Sequence, residues 1–368
     1  MFKKIVSFSL FLCLFFSCKK QIENIPANNS TTSPDEKYSP FANFNTSAAT
    51  YFDSIFTRYG GGFTGGDVAY SHVLPDGRSV WLFGDSFLDT VYPDRHRPRT
   101  SFIHNMMVVT DTLGGFTTLH GGTIEDPLPF FEAADPDQFY WPTCAFINKN
   151  KTQLYVLLIR VEENGEGGIF GFDIKGNDIA VLSLPDLTFK RIVPFSEGNF
   201  IDWSCATLEE DDGFIYLYGV ESTKRNKFMH VARTKSSGPL NKFEFYNGSS
   251  WVSDTTQSVR LIGGMSEQFT VFKSMGKYYL LSEGNLLSPN IYLYDAASPV
   301  GPFSNRRKIY TAPQAGGNII AYNATAHPQF TNNDSLLVGY NVNSTNFRDI
   351  FKNADNYRPY FFWLGNWR

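Results

Sequence analysis

The sequence has little charge, and the charge that it has is not basic. Asp, Glu, Lys and Arg together make up 18% of the 368 residues, and the formal net charge at pH 7 is -4. Nucleic-acid binding depends on clustered Lys and Arg side chains, which this composition does not supply. We therefore expect no nucleic-acid partner.

Cysteine is also scarce, with 4 residues in the chain. Only Cys144 and Cys205 lie beyond the first 18 residues, and no Cys and His spacing predicts a zinc site. These two cysteines occupy matching places in WPTCAF and DWSCAT, which favours two small buried packing residues over a disulfide. An oxidising compartment would still permit the disulfide.

No apolar stretch is long enough to span a bilayer. The most apolar one runs from Ile5 to Phe16 and is too short for a spanning helix. Lys3 and Lys4 precede it, as in a secretory signal peptide. The Ser-Cys pair that follows resembles a bacterial lipoprotein cleavage site, and this resemblance implies that Cys18 becomes the lipidated first residue. We therefore expect a lipid anchor in the outer membrane of a Gram-negative bacterium, on its periplasmic or cell-surface face.

The composition divides the chain into three predicted segments. Residues 1–18 form the lipoprotein signal peptide, and residues 19–45 are rich in Asn, Ser, Thr and Pro, which predicts a flexible tether. Residues 46–368 form the catalytic domain. The chain has 35 Phe and 19 Tyr, and its glycine-punctuated, β-branched sequence is typical of an all-β protein.

Five stretches of the third segment can be superimposed without a gap. Each contains a short apolar run, a tight polar hairpin and a second β-prone run that ends 17 residues after the start. A unit this short cannot bury its own faces, so the five units must pack on one another. The repeat predicts an all-β fold, namely a five-bladed β-propeller. The stretches begin at Asp67, Trp141, Asp202, Met265 and Asn323 and end at Gly84, Leu158, Gly219, Ser282 and Tyr340.

The repeat also predicts which rim of the propeller holds the functional site. A hairpin returns the chain to its starting end, so the first residue of each stretch and the residue after its end share one rim. The hairpin tips are short, and the acidic tip at Glu209–Asp212 is predicted to be solvated. Connections at the opposite rim are long, for example SFLDTVYPDRHRPRTSF. Function usually occupies elaborated loops, which places the site at the rim of Asp67.

Acidic residues recur at this rim. Asp67 and Asp202 hold the first position of their stretches, Glu267 lies two residues into the fourth, and Asp85 and Glu283 follow second runs. Converging carboxyl groups are what glycoside hydrolysis requires, because one acid protonates the leaving oxygen and one base activates water or attacks the sugar. A third carboxylate can raise the pKa of the acid, since like charges resist joint ionisation.

Two of the stretches resemble glycoside hydrolase family 43 and its five-bladed relatives. IDWSCATLEEDDGFIYLYG is similar to the third-blade signature of that family, and SEQFTVFKSMGKYYLLS is similar to the fourth-blade signature that contains the general acid. The resemblance implies that Asp67 is the base, Asp202 the modulator of the acid and Glu267 the acid. It also implies that His327 corresponds to a histidine facing a central ion or water. We expect no required cofactor, with a single Ca or Na ion on the axis as an open alternative.

The first stretch is closer to another group of proteins. GGDVAYSHVLPDGRSVWLFGDSF resembles bacterial lipoprotein families classed as domains of unknown function, one branch of which is associated with cleavage of D-arabinan. In this resemblance Asp67 and Asp85 would be the central pair. Whether Asp85 replaces Asp202 in the catalytic set therefore stays open.

Further rim residues are predicted to contact substrate, and each has a structural alternative. Trp141 could stack on a sugar or be buried between blades. Arg160 could bind a substrate group or pair with Glu162 or Glu221. His327 could be a metal ligand, although a hydrogen-bonded packing role is the commoner one. The predicted substrate-binding set is Asp85, Trp141, Arg160, Glu221, Glu283, Asn323 and His327.

These observations favour a monomeric, membrane-anchored glycoside hydrolase that cleaves an oligosaccharide or polysaccharide, furanosidic or arabinose-containing. An inverting mechanism would place the carboxyl groups of Asp67 and Glu267 about 6.5 to 9.5 Å apart, with room for a water molecule. The alternative hypothesis is a non-catalytic glycan-binding propeller lipoprotein. A third is a lipoprotein scaffold whose loops bind protein.

Overall fold

The computed structural model describes residues 44–98, 101–166, 171–197, 201–285 and 287–368. The predicted signal peptide with Cys18 and nearly all of the predicted tether lie outside these residues. Within the described ranges, no helix has both the length and the apolar character that a membrane crossing requires.

Five antiparallel sheets form a five-bladed β-propeller, which confirms the predicted all-β fold. In blades I to IV the strands follow chain order from the axis outward. The first four strands of blade I are Phe63–Val73, Ser79–Leu88, Met106–Thr110 and Phe116–Leu119; those of blade II are Gln138–Ile147, Gln153–Glu163, Phe172–Ser183 and Thr188–Glu197; those of blade III are Ile201–Glu209, Phe214–Ser222, Lys227–Lys235 and Glu244–Tyr246; those of blade IV are Phe269–Ser274, Lys277–Glu283, Asn290–Ala296 and Ser304–Thr311.

Short elements decorate this frame. Blade I gains Phe102–Ile103 beside its second strand, and blade III gains Trp251–Val252 and Ile262–Gly263. The remaining elements are a two-stranded hairpin, two α-helices and two 3-10 helices. They are Gly121–Gly122 with Pro127–Leu128, the α-helices Thr50–Phe56 and Arg348–Lys352, and the 3-10 helices Thr255–Gln257 and Ala354–Asn356.

Both ends of the described chain meet in blade V. Its first three strands are Ile319–Asn332, Ser335–Ser344 and Arg358–Gly365, and its outer strand is Asn45–Ala48 from the N-terminal side. The first strands of the five blades contact one another in a closed ring. Hydrogen bonding of a distant N-terminal strand into the last blade joins the two ends of that ring, so the propeller leaves no gap between blades V and I.

Aromatic side chains fill the space between neighbouring blades. Trp81 is fully buried and packs against Phe56 of the first helix, Phe330 and Phe361, which join blade I to blade V. Each such ring buries a large apolar area and favours edge or offset contacts. The abundance of Phe in the sequence is therefore explained by the seams between blades.

The hydroxyl of Tyr70 crosses the axis of the propeller. It lies 2.5 Å from the carbonyl oxygen of Cys205 and 2.7 Å from that of Phe269, and it accepts the Phe269 N–H at 3.0 Å. Blade I is thereby tied to blades III and IV. Cys144 and Cys205 are buried free thiols, which confirms the packing interpretation over the disulfide.

The acidic hairpin tip at 209–212 is solvated as predicted, with three of its four residues exposed and Glu210 half-buried. The carboxylate of Glu209 accepts the Ile147 N–H of blade II at 2.8 Å, and Glu210 forms an ion pair with Lys273 of blade IV at 2.6 Å. Neighbouring blades thus supply partners that the repeat pattern does not show.

Candidate functional site

The strand registers bring the predicted acidic residues to one rim. The start of each first strand pairs with the end of its second strand, as in Gly66 opposite Ser86 and Ile201 opposite Glu221. Asp67, Asp202 and the residues after the second strands therefore lie at the same end of the blades. This follows from the antiparallel hairpins that the repeat predicted.

Bulges interrupt the first strands near this rim. In blade I the pairing slips on both sides of Val68, and Val68 and Ala69 have φ values of 73° and 51°. Blade III slips between Asp202 and Ala206, and Asn323 of blade V has a φ of 56° beside a similar slip. A left-handed conformation is unfavourable for a β-branched residue such as Val68. Bulges re-aim side chains, and here they occur beside the candidate carboxylates.

Asp67 lies between blades I and V. The Tyr322 hydroxyl of blade V donates a hydrogen bond to its Oδ2 at 2.8 Å. Burial, followed by repulsion from the neighbouring Asp85, raises the pKa of Asp67 to about 7. A pKa in this range lets a carboxyl exchange its proton near neutral pH, and Asp85 is close enough to affect the protonation of Asp67.

Asp85 is held by nitrogen donors from two elements. Its Oδ1 accepts the Trp141 indole N–H at 2.8 Å and lies 3.0 Å from His104 Nδ1. The Tyr357 hydroxyl donates to the backbone carbonyl oxygen of Asp85 at 3.0 Å. Trp141 is half-buried, and its indole N–H orients the Asp85 carboxylate. It therefore has a hydrogen-bonding role at the rim in addition to packing between blades.

Gly84 makes room for this pair. A Cβ at that position would lie 2.8 Å from Asp67 Oδ1, 3.0 Å from Val68 Cγ2 and 3.4 Å from Trp141 Cδ1. Any side chain there would have to displace the Asp67 carboxyl. The predicted first stretch ends at this glycine, and its small size has a direct use in the site.

Asp202 is surrounded by donors. Its Oδ1 accepts Asn177 Nδ2 at 2.8 Å, the Ser204 N–H at 2.9 Å and the Ser204 hydroxyl at 2.5 Å. Burial raises its pKa, these donors oppose the rise, and Glu267 adds a smaller repulsion. Asp202 and Glu267 are thus near each other, as the predicted role of modulator requires, but that role stays a prediction.

Glu267 has a cationic partner. Lys227 Nζ of blade III lies 2.6 Å from its Oε1, and the side chain of Glu267 is 53% exposed. A protonated carboxyl cannot form this ion pair. The Glu267 carboxylate is therefore held by a cation of the neighbouring blade, and its predicted role as the acid stays a prediction.

Glu283 lies deeper than the other carboxylates. It is 2% exposed and accepts the Ala324 N–H of blade V. Burial raises its pKa to about 8, against the opposing effects of the Ala324 hydrogen bond and Lys227. In this structure Glu283 ties blade IV to blade V, and its predicted contact with substrate stays a prediction.

Two predicted substrate-binding residues have protein partners instead. Arg160 Nη1 lies 3.2 Å from Asp178 Oδ2. Glu221 accepts two hydrogen bonds from Arg260, each of 2.6 Å, and these lower its pKa to about 2. Both side chains stabilise their own blades, and neither belongs to the Asp67 and Asp85 cluster. Asn323 is half-buried beside Tyr322 and Ala324 at the rim.

His327 is a packing residue in this structure. Its Nδ1 lies 2.6 Å from the Ser71 hydroxyl and its Nε2 lies 3.4 Å from the Thr325 hydroxyl, while its ring packs against Trp81. Burial lowers its pKa to about 3. Within the described residues, no group of three or more His, Cys, Asp or Glu side chains could hold a metal. The hydroxyl and aromatic neighbours of His327 do not fit an axial ion.

A separate cavity of about 290 Å³ lies against the N-terminal strand, with Asp53, Tyr310, Tyr340 and Tyr360 in its wall. None of its lining residues belongs to the rim carboxylates. We place the candidate site at the carboxylates because their chemistry, rather than the depth of a cavity, defines what can react there.

Sequence reasoning missed several side chains that complete the rim. Tyr322 could have been found, because it directly precedes Asn323 in YNATAHPQF. The others lie outside the aligned stretches and approach only after the blades close. They are His104, Asn177, Lys227 and Tyr357.

Comparisons with known proteins agree with this architecture. No curated protein matches the chain. A Bacteroides ovatus protein described as a candidate hydrolase has a TM-score of 0.75 at 23% identity, covering 90% of this chain and 93% of its own. A Phanerochaete chrysosporium exo-β-1,3-galactanase, solved with galactose, has a TM-score of 0.50 at 13% identity, covering 82% of this chain and 60% of its own.

These similarities confirm the predicted resemblance to five-bladed propellers of the glycoside hydrolase family 43 type. At sequence identities of 23% and 13% they show a shared fold. The second predicted resemblance, to families without an assigned function, is confirmed as well. The profile of one such family matches residues 49–367. The chain belongs to the family described as Domain of unknown function (DUF5005).

Proposed function

We propose that this protein is a glycoside hydrolase whose catalytic carboxyl pair is Asp67 and Asp85. The observation that supports this most is the buried Asp67 carboxyl beside Asp85, with its pKa raised to about 7. Active sites are where burial and like charges are combined to shift a pKa toward working pH. Glycosidic bond cleavage needs such a pair of carboxyl groups.

The surroundings of the two side chains assign their roles. Below about pH 7 Asp67 holds a proton, which it can give to the departing oxygen of the sugar. Asp85 accepts the indole N–H of Trp141, and His104 lies beside it, so its carboxylate is held in a fixed orientation for attack on the anomeric carbon of the sugar. Two carboxyl groups with different environments are a common acid and base arrangement.

The competing assignment uses Asp67 as base, Asp202 as modulator and Glu267 as acid. It has the advantage that Asp202 and Glu267 are neighbours. Against it, the Glu267 carboxylate already has Lys227 as a partner at 2.6 Å. We therefore place Asp85, rather than Glu267, opposite Asp67 in the reaction.

The stereochemistry of cleavage distinguishes the two assignments. An acid and a nucleophile about 5 to 5.5 Å apart retain the anomeric configuration, whereas a gap of about 6.5 to 9.5 Å admits water and inverts it. The inverting mechanism was predicted for a catalytic pair formed by Asp67 and Glu267. We expect retention from a nucleophilic Asp85, and NMR of the first product formed reads the outcome.

The substrate class rests on two similarities. The galactanase that shares this fold was solved with galactose, which supports a sugar polymer as substrate. The similarity of the first stretch to proteins associated with D-arabinan supports an arabinose-containing or other furanosidic glycan.

The test is a screen of the purified protein against arabinan, arabinogalactan, galactan and xylan, with chromatographic analysis of released sugars. Asp67→Asn and Asp85→Asn are the matched inactive controls. Release of sugar by the native chain and by neither variant is the expected result. If all polymers stay intact while one is bound, the non-catalytic glycan-binding hypothesis replaces this one.

We also propose that the protein is a monomeric lipoprotein anchored through Cys18 in an outer membrane. The Lys3 and Lys4 pair, the apolar run after it and the Ser-Cys junction support this. Labelling with a palmitate analogue should mark the native chain and leave Cys18→Ser unlabelled. Label on the variant would contradict the proposal.

A further inference from the structure

Five aromatic rings form a continuous strip past Asp85. We name Phe102, His104, Phe139, Trp141 and Phe172 the aromatic strip. Consecutive ring centroids are 5.8, 3.8, 5.5 and 4.8 Å apart, and His104 stacks on Phe139 at 15°. The strip combines three places in the chain: the short strand of blade I, the first strand of blade II and the start of the third strand of blade II.

The aromatic strip is not part of the core. Phe102 is 39% exposed and the side chain of His104 is 33% exposed, while the other three rings are half-buried. Core rings of the same blade, such as Trp81 and Phe83, have no exposed surface. Adjacent apolar rings left partly in water and bordered by polar groups are typical of a ligand-binding surface.

The aromatic strip is continuous with the proposed catalytic pair. Two of its three inner members, His104 and Trp141, contact Asp85 Oδ1. Phe102 lies on the His104 side of this carboxylate, and Phe172 lies on the Trp141 side. A molecule that covers the aromatic strip therefore passes Asp85 and extends beyond it in both directions.

We infer that the aromatic strip binds successive sugar rings of a glycan chain on both sides of Asp85, so that cleavage occurs within the chain rather than at its end. This inference rests on the proposed function. Sugars present apolar C–H faces to aromatic rings and hydroxyl groups to neighbouring polar atoms, which matches a row of rings around a carboxylate.

The test measures glycan binding separately from cleavage. Asp67→Asn in the full chain serves as the non-cleaving background, and affinity electrophoresis in gels containing arabinan, arabinogalactan, galactan or xylan measures retardation. Phe102→Ala and Phe172→Ala remove the two ends of the aromatic strip. Phe102→Tyr and Phe172→Tyr keep a ring, and Phe189→Ala removes a 42% exposed ring from the outer strand of blade II as the control.

Each alanine variant should weaken binding of the recognised polymer by about threefold to tenfold, the range expected for one aromatic contact. The tyrosine variants and the control should bind like the background protein. Thermal unfolding near the background temperature shows that the alanine variants are folded. Unchanged binding in both alanine variants, or an equal loss in the control, would overturn the inference.

Product size supplies the second readout in the catalytically intact chain. The native protein should release mainly oligosaccharides early in the reaction, and Phe102→Ala or Phe172→Ala should slow cleavage of the polymer more than cleavage of short oligomers. If only single sugars are released early in the reaction, cleavage within the chain is contradicted, while the proposed hydrolase function still holds. If the aromatic strip is needed for binding but no polymer is cleaved, the proposed hydrolase function is contradicted, while glycan binding by the aromatic strip is supported.

Discussion

The rim holds two sets of carboxylates with different surroundings. The Asp67 pair, meaning Asp67 and Asp85, has hydroxyl, indole and imidazole partners, and no Lys or Arg forms an ion pair with it among the described residues. The Glu267 group, meaning Asp202, Glu267 and Glu283, has Lys227 at its centre. Among the described residues, one set therefore has no Lys or Arg partner and the other has one.

This difference separates chemistry from scaffold. An uncompensated buried carboxyl is costly, and proteins keep such groups mainly where the shifted pKa is used. The donors around Asp202 oppose the rise in its pKa, and Lys227 pairs with Glu267 and opposes the rise in the pKa of Glu283. Acidic residues at a propeller rim therefore do not by themselves indicate a catalytic site. The residues that contact each carboxylate decide whether it can act in catalysis or only stabilise the fold.

The largest expected difference is between the two sets in catalysis. Asp67→Asn and Asp85→Asn should lower kcat by about 100-fold to 10,000-fold, because each removes a group that transfers a proton or attacks in the transition state. Glu267→Gln should keep activity within about tenfold of the native protein, since its proton is not used. Steady-state kinetics on the cleaved polymer make the measurement. A complete loss confined to Glu267→Gln would reverse the comparison.

Gly84→Ala should disturb the Asp67 pair without removing either carboxyl. The added Cβ would lie 2.8 Å from Asp67 Oδ1, so we expect kcat to fall by about tenfold to 100-fold through misplacement. Gly316→Ala is the matched control, because a Cβ there has no neighbour within 4 Å. Steady-state kinetics of both variants test this prediction. Equal kcat values in the two would show that the space at Gly84 beside the Asp67 carboxyl is not needed for activity.

Glu283 should make stability depend on pH. Its pKa in the folded chain is raised to about 8, so the folded state binds a proton that the unfolded chain has lost. Its contribution is fully present below its ordinary pKa and is lost as the pH rises toward 8, with a slope of at most about 1.4 kcal/mol per pH unit. Urea unfolding at pH 5 and pH 8 should show Glu283→Gln losing less stability than the native chain. Identical losses would contradict this.

The smallest expected effect is that of Lys227→Met. The side chain of Lys227 is 14% exposed, but that of Glu267 is 53% exposed and stays solvated when its partner is lost. Removal of the ion pair should therefore change the free energy of unfolding by about 1 kcal/mol or less. Activity should stay near the native level because the Asp67 pair is untouched. Urea unfolding and kinetics on the same preparation check both statements. A severe loss of activity would show that the Glu267 group takes part in catalysis.

Much of the fold could be predicted from the sequence, because each blade begins with a local hairpin of fixed length. Alternating apolar residues and turn residues are visible within 17 positions. The outer strand of blade V could not be predicted in this way. Asn45 pairs with Gly365, and that contact depends on ring closure rather than on neighbouring sequence.

The acidic residues of the site could be predicted from the sequence, but the residues that contact them could not. Asp67 begins the first aligned stretch and Asp85 directly follows it, so their common rim follows from its hairpin. Tyr322 reaches Asp67 from 255 positions away, and Lys227 reaches Glu267 from an adjacent blade. Such contacts decide whether a carboxyl holds a proton, and a single sequence contains no periodic signal for them.

Titration of the Asp67 carboxyl tests the central claim most directly. Infrared or ¹³C NMR spectra of carboxyl-labelled protein, compared with Asp67→Asn to assign the signal, give its pKa in the native chain and in Asp85→Asn. The coupled pair predicts a pKa of about 7 in the native chain and a lower pKa when the Asp85 charge is removed. A native value in the ordinary range of about 4, unaffected by Asp85→Asn, would contradict the account.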